Sequence, residues 1–99
     1  MKAVGLVCIL PRMFDMYGAL PREDENARLD NFAIQLLEES GAGYVKVHGR
    51  NGRAKANRAL KYLRKVRGIK AWRLLTAIND SHEEMSFELW VFPLGQRGP

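Results

Sequence analysis

The chain has 99 residues, 46% of them apolar and 27% charged. That length supports one domain around one modest core, and the composition excludes a disordered chain. Lys and Arg number 16 against 11 Asp and Glu, a formal net charge of +5, and the lone cysteine, Cys8, excludes an internal disulfide and a cysteine-based zinc site.

Residues 3–10 are apolar at both parities, as in a strand covered on both faces. They follow Lys2 like a short signal core, but Pro11 and Arg12 come at once and no A-x-A pattern is near. With no apolar run of about 18 residues, the expectation is a cytoplasmic protein away from membranes. Residues 11–21 read as an apolar loop carrying Met13, Phe14, Met16, Tyr17 and Leu20. The first helix is expected over 22–40. Glu23, Asp24 and Glu25 suit its positive end, and Leu29, Phe32, Ala33, Leu36 and Leu37 form its buried stripe before Gly41 stops it. Residues 44–48 alternate as a strand, with Val45 and Val47 on one face and Tyr44, Lys46 and His48 on the other. The turn Gly49-Arg50-Asn51-Gly52 leads to a second helix over 53–67, closed by Gly68.

Residues 69–78 and 85–92 read as strands of a hairpin joined by a polar loop. Setting Ile78 opposite Met85 places Thr76 against Phe87, Leu74 against Leu89 and Trp72 against Val91 on an apolar face. Ala77–Ser86, Leu75–Glu88 and Arg73–Trp90 then share the other face. A flexible tail is expected over 93–99. The order is β-α-β-α-β-β in a single domain, 1–99. The expected class is α+β, a two-layer sandwich with a four-stranded mixed sheet and two helices on one face, ferredoxin-like. In size and order of elements the chain is similar to small CRISPR-adaptation nucleases. Its first strand ends Ile9-Leu10-Pro11, without the acidic residue their metal needs, and no residue role is carried over.

The charge is unevenly placed. From Ser40 to Asn79 there is no acidic residue, while that stretch holds 11 of the 16 basic ones. A solvated surface usually mixes signs, so a one-signed stretch points to an anionic partner, nucleic acid first. On the second helix Ala56, Ala59, Leu60, Leu63 and Val66 share one side. Arg53, Asn57, Arg58, Lys61, Arg64 and Lys65 share the other and are the candidate phosphate contacts. Lys46, Arg50 and Arg73 join this set. The turn before the helix could cradle a phosphate on backbone N–H groups between Arg50 and Arg53, although an ordinary strand-to-helix turn has the same sequence.

The outward sheet face is expected to carry Arg73, Leu75, Glu88, Trp90 and Phe92 beside Tyr44, Lys46 and His48. Leu75, Trp90 and Phe92 form the candidate homodimer interface, and the same aromatics could stack on unpaired bases. His48 and His82 could pair in metal-free ribonuclease chemistry, and Asp80, His82, Glu83 and Glu84 could hold a metal. Two histidines and a polar loop are also ordinary usage, and no catalytic residue, metal or cofactor is assigned. The expected function is non-enzymatic nucleic-acid binding, with small size pointing to a phage or other mobile element. The alternative is an inhibitor or adaptor that docks on a larger machine, supported by the loop 13–20 and the acidic first turn of the first helix; an acidic protein surface is the alternative partner to nucleic acid.

Overall fold

The computed structural model describes residues 11–93. The strand expected at 3–10 and, beyond Pro93, the expected tail lie outside the described residues. The elements are β1 (Arg12–Tyr17), α1 (Arg22–Glu39), β2 (Ala42–His48), α2 (Gly52–Lys61), β3 (Leu74–Asn79) and β4 (Ser86–Phe92). They form a four-stranded mixed sheet with two helices, an α+β arrangement.

The sheet runs β1-β4-β2-β3. β4 is antiparallel to both β1 and β2, and β2 is parallel to β3. This order does not confirm the ferredoxin-like arrangement, and it overturns the expected hairpin. β3 and β4 never pair, because β2 lies between them. The face-matching that favoured the hairpin is satisfied by any two alternating strands. The β2-α2-β3 crossover sets β3 directly beside β2, and β4 then takes the other side of β2, where both of its faces are covered or half-buried. Trp72, expected against Val91, is 72% exposed in the short turn Ala71–Arg73.

The segment expected to be an apolar loop is the edge strand β1. A bulge at Phe14 breaks its alternation, which hides the strand signal. Phe14 packs 5.7 Å from Phe32, and Tyr17 stacks on Phe87 at 5.0 Å. Arg12 reaches Glu39 and Asp15 reaches Arg28, both on α1.

One core holds the two layers together. Leu29, Phe32, Ala33 and Leu36 of α1 and Ala56 and Ala59 of α2 pack over Val45, Val47, Phe87, Leu89 and Val91, so both helices lie on one face of the sheet. One stripe position and one residue of the acidic first turn differ from expectation. Leu37 is exposed, and Glu25 is buried at 4% exposure. After Lys61 the helix widens into a π turn, Tyr62–Val66. The wider turn rotates the following residues: Leu63 stays buried, Val66 swings out to 58% exposure, and Ile69 fills the core instead.

Candidate functional site

The site lies where β2 ends and α2 begins. Gly49 has φ +111° and Asn51 φ 57°, so the chain reverses through two left-handed residues. A side chain at Gly49 would put its Cβ 2.6 Å from the Glu84 carbonyl oxygen and from the Met85 Cα, which is why only glycine fits. The loop after β3 is tied to this turn. Gly49 N–H donates to the Asn79 carbonyl at 2.9 Å, Arg50 Nε to the His82 carbonyl at 3.3 Å, and Gly52 N–H to Asp80 Oδ1 at 3.1 Å.

Asp80 therefore caps the helix. A carboxylate already stands at the N-terminus that the sequence offered as a phosphate cradle. What remains is an open cleft of about 650 Å³ lined by Arg50, Asn51, Arg53, Ala54, Asn57, Asp80 and Ser81. The sequence reading named Arg50, Arg53 and Asn57 from this group. It held Asn51 within the proposed turn, and it did not place Ala54, Asp80 or Ser81 in the lining. The Asn-Gly pair signalled the turn, but nothing local places residue 80 against residue 52.

Besides Arg50, three of the eleven cations between Ser40 and Asn79 are engaged inside the fold. Arg58 pairs at 2.7 Å with the buried carboxylate of Glu25, which also accepts from the Tyr17 hydroxyl at 3.2 Å. Arg67 lies 3.6 Å from Asp30. Tyr62 donates to the same carboxylate, and that hydrogen bond raises the phenol pKa above its ordinary value. Arg73 is not on the outward sheet face. Its Nε donates to the Gly41 carbonyl at 2.8 Å and its Nη2 to Leu36, so it caps the C-terminal end of α1. α1 has no basic residue in its own last turn, and Arg73 supplies a cation there from a distant segment.

Arg50, Arg53, Lys61, Arg64 and Lys65 remain exposed. Among the described residues, none of them has an acidic partner within 4.0 Å.

Among the described residues, no helix covers the other sheet face, and its pairing sets side chains in rows. Met13, Trp90, Tyr44 and Leu75 form one row across all four strands, and Met16, Glu88, Lys46 and Ala77 the next. Glu88 accepts from the Trp90 indole at 3.0 Å. Phe92 meets Tyr44 edge-on at 6.0 Å, and a hollow of about 230 Å³ opens among Pro11, Tyr44, Lys46, Trp90 and Phe92. The third row, Ser86, His48 and Asn79, is polar. His48 Nε2 lies 2.5 Å from Glu83 Oε1, and its Nδ1 lies 3.1 Å from the Asn79 amide nitrogen. The two ring nitrogens of His48 thus face Glu83 and Asn79. Among the described residues, no group of three or more His, Cys, Asp and Glu could hold a metal ion, and no helix is long and apolar enough to cross a membrane.

The chain matches no protein-family model, no curated protein and no solved structure.

Proposed function

We propose that this protein binds nucleic acid without catalysis, through the exposed side of α2 and the cleft that precedes it. The observation that carries the proposal is the set Arg50, Arg53, Lys61, Arg64 and Lys65, all exposed and none ion-paired among the described residues. Arg50 and Arg53 would grip one phosphate at the cleft with the Asn57 amide beside them. Lys61, Arg64 and Lys65 continue the contact along the helix. From Arg53 to Arg64 the axis advances roughly 16 Å, about five phosphates of one duplex strand. Lys46, on the opposite face of the sheet, stands apart from this contact. Arg58 and Arg73, engaged elsewhere, act as supports.

The test is binding of labelled single- and double-stranded oligonucleotides across a salt series. Neutralising about five phosphates gives log K against log[salt] a slope of about −4. Affinity that stays flat as salt rises overturns the proposal. Binding of an acidic protein in place of nucleic acid would move the same surface to the adaptor reading.

A further inference from the structure

Among the described residues, no helix covers the sheet face opposite α1 and α2. We infer that two copies of this chain associate face to face, about a two-fold axis that runs parallel to the strands and midway between β2 and β4. The rows described above support this axis. Rotation about it carries β2 over the partner's β4 and β3 over the partner's β1, while each row stays at its own level. Tyr44 then lies over the partner's Trp90, and Leu75 over the partner's Met13. Lys46 lies over the partner's Glu88, and Glu88 over the partner's Lys46.

The match is apolar on apolar throughout the first row, and in the second it is positive on negative with Met16 against Ala77. Met16 and Leu75 are 58% and 51% exposed, a large apolar area for a lone sheet to leave in water. Lys46 and Glu88 are cross-strand neighbours, yet they form no ion pair within 4.0 Å in one chain. Two unpaired opposite charges beside the axis are what an isologous contact uses twice. Both helices lie on the opposite face, so the dimer presents two copies of α2 outward. The inference does not rest on the proposed function, since it uses none of the same side chains.

The test is sedimentation of the full chain, with circular dichroism on every variant. The wild type is expected to sediment as a dimer at micromolar concentration. Lys46→Glu or Glu88→Lys alone faces like charges across the axis and is expected to weaken association by about tenfold or more. An equimolar mixture of the two variants is expected to restore dimers. Repair within one chain cannot produce that rescue, because the two changes sit on different molecules. Leu75→Glu, at the margin of the face, serves if either charge variant fails to fold, and it too is expected to dissociate. A wild-type monomer overturns the inference, as do single variants that dimerise like the wild type or a mixture no better than its components. A monomer whose Trp90 fluorescence, read in a Trp72→Phe background, is quenched by oligothymidylate assigns the face to unpaired bases instead, which also overturns it.

Discussion

Arg58 and Glu25, 33 residues apart in the chain, meet at 2.7 Å and join α2 to α1 across the top of the core. The Glu25 carboxylate is buried, and the Tyr17 hydroxyl reaches it from β1. One carboxylate thus ties three elements together. A buried charge is tolerable when it is paired and hydrogen-bonded, and costly once a partner is removed.

Arg58→Ala is therefore expected to lower stability by about 1–3 kcal/mol, a range reduced because the arginine side chain is 40% exposed. Arg53→Ala is expected to stay within about 0.5 kcal/mol of wild type while weakening nucleic-acid binding. Arg53→Ala, Lys61→Ala and Arg64→Ala should each make the salt slope shallower by about one. Chemical denaturation beside a binding series checks both sides. Loss of stability in Arg53→Ala with none in Arg58→Ala would contradict the assignment of roles.

The π turn makes a sharper prediction about the end of α2. Leu63 is fully buried and Val66 exposed. Leu63→Ala is expected to cost about 2–5 kcal/mol through lost burial and a cavity. Val66→Ala is expected to change stability by less than about 0.5 kcal/mol. A regular helix over 53–67 would put both in the core, and denaturation midpoints of the two variants distinguish the cases.

Gly49 and Gly68 both have positive φ, but only Gly49 is crowded. Gly68→Ala adds strain in open space and is expected to cost about 1 kcal/mol. Gly49→Ala adds the same strain and a clash with the backbone of residues 84 and 85. Its expected cost is about 3 kcal/mol or more. By loosening the turn it should also weaken binding at the cleft. Melting curves that rank Gly68→Ala as the more damaging would be inconsistent with this packing.

Tyr17 gives a pH dependence. Burial, followed by the charge and hydrogen bond of Glu25, holds its phenol proton far above the usual tyrosine range. The folded state therefore favours the neutral phenol. That contribution is complete below the ordinary tyrosine pKa of about 10 and is lost as pH rises beyond it, because only the unfolded chain then ionises. The wild type is expected to lose stability more steeply between neutral pH and the alkaline range than Tyr17→Phe does. Equal slopes in denaturant titrations across that range would remove the effect.

Much of this molecule was set by local pattern. The 3.6-residue stripe of α1 and the cluster Glu23-Asp24-Glu25 give α1 its place, and the alternation around Val45 and Val47 gives β2. The unmixed charge of α2 is also legible in the chain, since a helix exposes one side whatever lies on the other. Neighbours distant in sequence decided the rest. β1 was masked by a bulge that its pairing with β4 sustains. β3 and β4 were separated because β2 satisfies the hydrogen bonds of both. Glu25, Asp30, and the carbonyls of Leu36 and Gly41 sit in or beside α1, yet their placement drew Arg58, Arg67 and Arg73 into the fold. Periodicity shows which side of an element is apolar. It does not show which element lies against it, and the partners of buried charges follow only from the packing of the whole chain.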